Sequence, residues 1–148
     1  GVINTTVGYI GGHKKNPTYE EVKSHKTGHY EAVKVEFDPK RTSYGELCKL
    51  FFEIHDPAQL DGQGPDIGPQ YLSGIFYTSD LQKHTAEDIM TLLRRRGHEV
   101  NTFLAPAAAV NSTETPTDQI FWPAEDYHQH YYEKTGGTPY CHFRKPKF

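Results

Sequence analysis

The 148-residue chain has only two cysteines, and no apolar run approaches the length a membrane-spanning helix needs. Two cysteines make a poor disulfide framework, so a reducing compartment, the cytoplasm, is expected. A basic excess is also missing: the formal net charge is −3 with nine histidines counted as neutral. The lysines and arginines are scattered apart from Arg94, Arg95 and Arg96, which argues against a nucleic-acid partner. Neither an initiator methionine nor a signal-like apolar segment opens the chain. It starts on "GVINTTVGYIGG", already a strand running into a turn, so a piece of a longer, N-terminally incomplete protein is expected. What is present, 35% hydrophobic and 24% charged residues, is a globular composition. The length fits a single domain over residues 1–148, able to build a core without cross-links, and a monomer is expected.

The segment 2–10 is rich in β-branched residues and ends at Gly11-Gly12, which predicts a strand. Residues 12–29 are polar and broken by Asn16-Pro17 and Gly28, which predicts an ordered loop. In 30–38 Val33, Val35 and Phe37 alternate with Lys34 and Glu36, the pattern of a strand with one wet face. The spacing of Tyr44, Leu47, Cys48, Phe51, Ile54 and His55 predicts a helix over 42–57, with Ser43 and Glu46 at capping-box spacing. Residues 58–70 hold three glycines and two prolines and read as a long loop. A strand over 71–78 follows. A helix then opens at Ser79, with a stripe of Leu81, Thr85, Ile89, Leu92 and Leu93 and a stop at Gly97. A strand over 99–108 and a short helix over 124–134 complete the reading. The order β-β-α-β-α-β-α is that of an α+β two-layer sandwich. With one β-α unit ahead of residue 1, the start becomes βαββαβ, a ferredoxin-like core with extra helices.

Few residues here point to chemistry when taken singly. Cys48 sits on the apolar stripe of the best helix and reads as a small core residue. Cys141 lies in "GGTPYCHF", a Gly/Pro-rich segment near the C-terminus, where a reactive thiol and an idle surface thiol are both open readings. Tyr19 and Glu31 flank the same loop. A carboxyl at such a rim, if partly desolvated, would be held protonated for acid catalysis; a solvated strand-end carboxylate is the alternative. Asp66 and Tyr71 in "GPDIGPQY" repeat the pairing of a carboxylate with a phenol, and a plain loop Asp with a core Tyr is equally open. His128 and His130 would not share a helix face, which argues against a metal site.

Taken together, "GVINTTVGYIGGHKKNPTYEEV", "TGHYEAVKVEFDP", "FFEIHDPAQ", "QGPDIGPQYLSGIFY" and "AEDYHQHYYEK…YC" resemble, in order, the peptide methionine sulfoxide reductases of the A class. The resemblance runs from residue 1 to about residue 141. It implies reduction of the S epimer of methionine sulfoxide, free or in oxidised proteins, with thioredoxin as reductant. It implies no metal and no bound organic cofactor. A thiolate attacks the sulfoxide sulfur while an acid protonates the oxygen; a sulfenic acid forms, then a disulfide, which thiol exchange reduces.

Carried over residue by residue, the resemblance makes Glu31 the acid, Tyr19 and Tyr71 the phenols on the sulfoxide oxygen, Asp66 a further member of that pocket and Cys141 the resolving thiol. The four pocket residues are therefore expected to converge on one cavity. Two departures stand out. The family usually reads "QGNDxGTQYRS" where this chain reads "QGPDIGPQYLS", so Pro65 and Pro69 stiffen the loop and Leu72 removes a charge. The family's "GCFWG" piece, which holds the attacking cysteine, would precede Gly1. The reading is thus a reductase whose nucleophile lies outside these 148 residues. The alternative is a remnant without catalysis that binds methionine sulfoxide.

Overall fold

In a computed structural model, which describes residues 1–109, 113–137 and 143–148, strand β1, Val2–Ile10, pairs antiparallel with β2, Tyr30–Phe37. Their β-branched residues suit the pleated surface. The register sets Tyr9 opposite Glu31, Val7 opposite Val33 and Thr5 opposite Val35. The other edge of β1 pairs with β7, Trp122–Pro123, near Gly8 and Tyr9, giving the order β2-β1-β7. Burial rises along β1, so its Gly8–Ile10 end lies inside while the Val2 end is exposed.

The polar segment 12–29 is not all loop. It contains α1, Tyr19–Lys23, opened by a capping box: the Thr18 hydroxyl accepts from the Glu21 N–H, and the Glu21 carboxylate accepts from the Thr18 N–H. The Thr-x-x-Glu spacing was visible in the sequence. The single turn survives because Val22 buries itself against Tyr9 and Ala124.

A second core forms between α2, Tyr44–Glu53, and α3, Asp80–Arg95, over a parallel pair, β5 (Gly74–Tyr77) and β6 (Phe103–Pro106). Cys48, Phe52, Ala86, Ile89, Met90, Leu93 and Val100 are its buried residues. Each large apolar side chain so buried contributes about 1.5–3 kcal/mol relative to exposure. The stripe of α3 is rotated from the one expected: Ala86 and Met90 are buried, whereas Leu81 is 77% exposed. Leu81 stands in the first turn, ahead of the stretch that packs on α2.

The expected helix over 124–134 is broken into two pieces. A 3-10 turn, Asp126–His128, is followed by α4, Tyr131–Thr135, with His130 in the left-handed region at φ 51° between them. Gln129 explains the break. Its amide accepts from the Val7 N–H and donates to the carbonyls of Val7 and Ala124, acting as one more strand neighbour for β1. A regular helix would turn that amide away from the strand.

The end of the chain is tied to α2. Arg144 Nε donates to buried Glu53 at 2.8 Å, the Lys147 N–H donates to the same carboxylate, and Lys147 Nζ donates to the carbonyls of Phe52 and His55. A cation thereby satisfies the last carbonyls of the helix. Phe148 packs against the α2–α3 core. Cys141 lies outside the described residues.

Candidate active site

Glu31 stands near the start of β2, an edge strand of its sheet among the described residues. Burial pushes its carboxyl above the ordinary carboxylate range, and the charge of Asp66 pushes it the same way. A hydrogen bond from Tyr71 opposes both. Tyr71 closes a 3-10 turn, Pro69–Tyr71. Pro69 takes the first position of that turn, where its missing N–H does no harm. Gly68 before it has φ 143°, and a Cβ there would come within 2.6 Å of the Gln70 side chain. Burial, followed by the charge of Glu31, pushes the Tyr71 hydroxyl up to about 12, so it stays a donor at neutral pH.

Asp66 rides on a small hairpin of β3, Gly62–Gln63, and β4, Asp66–Ile67. The Gln59 side chain holds the tip, accepting from the Gly64 N–H at 2.7 Å and donating to the Gly64 carbonyl. The hairpin is therefore braced as well as stiffened by Pro65.

Tyr19 is the first residue of α1. Its N–H donates to Glu125 at 3.1 Å, and its ring lies 4.5 Å from that of His128. Tyr19 is close enough to Tyr71 to oppose its ionisation. His29 fixes the loop that carries Tyr19 against the strand that carries Glu31. It accepts from the Gly12 N–H through Nδ1, so Nε2 holds the proton and donates to the Lys14 carbonyl at 2.7 Å. Gly12 must be glycine: a Cβ would sit 2.4 Å from the Thr27 carbonyl.

Tyr71 thus lies within electrostatic reach of Glu31, Tyr19 and Asp66, and Glu31 within reach of Asp66. A hollow of about 170 Å³ is lined by their chain neighbours, among them Val22, Tyr30, Pro69 and Gln70, rather than by the four themselves. Cys48 is apart from them, in the α2–α3 core, where burial pushes its thiol up and keeps it inert. Sequence reasoning passed over Glu125, which anchors Tyr19 and also accepts from the Tyr127 hydroxyl at 3.0 Å. No sequence spacing signals a contact between residues 19 and 125.

A carboxylic acid beside two phenol donors is suited to steadying and protonating an oxygen that gains negative charge. The class so defined is a mixed helix-and-sheet domain with an acid–phenol site. A family model described as "Peptide methionine sulfoxide reductase" matches residues 1–148. The chain is 46% identical over 137 residues to peptide methionine sulfoxide reductase MsrA of Geobacter sulfurreducens, covering 93% of this chain and 80% of that protein. It is 45% identical over 142 residues to the MsrA of Sulfolobus acidocaldarius, covering 95% and 74%. Among solved structures, Mxr1 from Saccharomyces cerevisiae in reduced form superposes with a TM-score of 0.80 at 31% identity, over 97% of this chain and 78% of that one. Methionine sulfoxide reductase A of Corynebacterium diphtheriae superposes with a TM-score of 0.75 at 32% identity, over 95% and 67%. The chain belongs to the peptide methionine sulfoxide reductase family.

Proposed function

We propose that Glu31, Tyr19, Tyr71 and Asp66 form the site at which the S epimer of methionine sulfoxide, free or in a peptide, is reduced to methionine. A thiolate attacks the sulfoxide sulfur. Glu31 gives its proton to the oxygen, and Tyr19 and Tyr71 donate hydrogen bonds to it as charge builds. The oxygen passes to the attacking sulfur as a sulfenic acid, and methionine leaves. The Cys141 thiol then attacks the sulfenic sulfur, releasing water and forming a disulfide, which the dithiol of thioredoxin reduces. The observation that carries this reading is the Glu31 carboxyl, desolvated and bonded to Tyr71.

In this reading the attacking cysteine belongs to a strand–helix unit ahead of Gly1, which completes a two-layer, ferredoxin-like core. Two features support that unit: β2 is an edge strand, and Val33 and Val35 on it are 58% and 39% exposed.

The test uses the protein extended by its preceding segment, a peptide containing methionine-(S)-sulfoxide and dithiothreitol. Methionine should form. Glu31→Gln should slow the first step by roughly 10²-fold or more. Cys141→Ser should spare that step and block turnover with thioredoxin. Affinity for the peptide without turnover would favour the binding-module alternative, and a Glu31→Gln variant as fast as the parent would refute the assignment of the acid.

A further inference from the structure

Tyr9 is only 2% exposed, yet its hydroxyl has no hydrogen-bond partner among the described residues. A buried hydroxyl left unpaired is unfavourable, and in a native fold it needs a reason. Three observations place that hydroxyl at the site. The register of β1 and β2 sets Tyr9 directly opposite Glu31, and opposed residues project from the same face of a sheet. The Tyr9 ring packs with Val22 and Ala124, and Tyr19 rests against the same cluster. The charges of Glu125 and Glu31, with Tyr127 and Tyr19, add to burial in opposing ionisation of Tyr9, so all four lie within its electrostatic reach.

The hydroxyl is therefore a neutral phenol donor held between the acid and the anchored Tyr19. Of the nearby acceptors, Glu125 is committed, since it already accepts from the Tyr19 N–H and the Tyr127 hydroxyl, while Trp122 Nε1 and His128 Nε2 are likewise buried without a hydrogen-bond partner among the described residues. An oxygen brought in by a ligand would give Tyr9 its missing acceptor. A bound sulfoxide is such a ligand, with one strongly accepting oxygen and otherwise apolar surroundings.

We propose that Tyr9 is a further substrate-binding residue, whose hydroxyl donates to the sulfoxide oxygen alongside Tyr19 and Tyr71. This rests on the proposed function and adds a third phenol to it. The ring is locked by packing, so its donor is pre-positioned and loses little freedom on binding.

The test is Tyr9→Phe, which removes one oxygen and keeps the packing, in the protein extended by its preceding segment. Single-turnover kcat/KM for the (S)-sulfoxide peptide should fall about tenfold or more, while the melting temperature stays level or rises because an unpaired buried hydroxyl is gone. A second measurement does not depend on turnover. With tyrosines labelled at the ring carbon bearing oxygen, the resonance missing in Tyr9→Phe should move on adding dimethyl sulfoxide and stay put with dimethyl sulfide. Unchanged kinetics together with an unmoved Tyr9 resonance would overturn the inference. A lower melting temperature with normal kinetics would also overturn it, by assigning the hydroxyl to a structural bond. If Glu31→Gln is impaired and Tyr9→Phe is not, only the inference fails. An inactive parent instead removes the proposed function and leaves the resonance to decide whether Tyr9 meets a sulfoxide oxygen.

Discussion

At the scale of single residues, Glu31 is governed by three influences whose effects differ in sign. Burial and the Asp66 charge raise its pKa; the Tyr71 hydrogen bond lowers it. An acid works only while protonated, so the first chemical step should weaken as pH rises through the raised Glu31 value. Two conservative variants should then move that descending limb in opposite directions. Asp66→Asn removes a negative charge and should shift it to lower pH. Tyr71→Phe removes a donor to the carboxylate and should shift it to higher pH, while also lowering the rate. Single-turnover pH profiles check both; shifts of the same sign would rule out this account of the carboxyl. The linkage to stability has a definite sign as well. Because the folded-state value is raised, the stability Glu31 contributes is full below its unfolded value and is lost as pH rises through the folded one. Glu31→Gln should therefore melt no lower than the parent at pH 7, although it loses activity.

The elements show which features the sequence displays and which it hides. β1 and β2 were legible from their β-branched content, and α2 and α3 from apolar spacing with a cap within three residues. The burial of Val33 and Val35 expected from alternation did not follow, since covering a strand face depends on what packs there rather than on the strand. The helix over 124–134 was misread for a related reason: Gln129 serves Val7, 122 positions away. The Gln129→Ala variant leaves the Val7 N–H and carbonyl without that partner and should destabilise the fold by roughly 1–3 kcal/mol, read from denaturant midpoints. Of the candidate site, Tyr19, Glu31, Asp66 and Tyr71 were singled out through their flanking motifs, while Glu125 and Tyr9 were not, because each meets those residues through contacts between distant segments.

The C-terminal tie is a second element-scale case. The Lys147 N–H and then Arg144 hold the Glu53 carboxyl below its ordinary range. The stability from a depressed carboxyl is present above its unfolded value, about 4.3, and is lost as pH falls through the folded one. Residues 144–148 should therefore gain hydrogen exchange at acid pH before the α2–α3 core does. Glu53→Gln should give them that faster exchange already at pH 7. Since residue 141 precedes this tie by a few positions, the same variant tests whether anchoring the chain end matters to recycling: the first step should be untouched in either case.

On the scale of the whole molecule, two cores are covered unequally. The α2–α3 core is closed by helices and by Phe148. The sheet core is covered by Val22 and Ala124 at the β1 side, while β2 leaves Val33 and Val35 bare on the face it shares with Val7 and Tyr9. Beta-branched residues opposite one another on one face are a packing surface, and a solvated valine gains none of the roughly 1.5–3 kcal/mol its burial is worth. If the proposed strand–helix unit covers this face, a polar change there has no effect without the unit and a large one with it. Val33→Asp should leave the melting temperature of the 148-residue chain within about a degree. In the extended protein it should lower that temperature by several degrees, since one buried charge is far less tolerable than one exposed charge. Equal effects in the two proteins would place the unit elsewhere, and with it the attacking thiol. Glu31 and Val33 lie two residues apart on the same side of β2, so a unit that covers the sheet face also borders the acid.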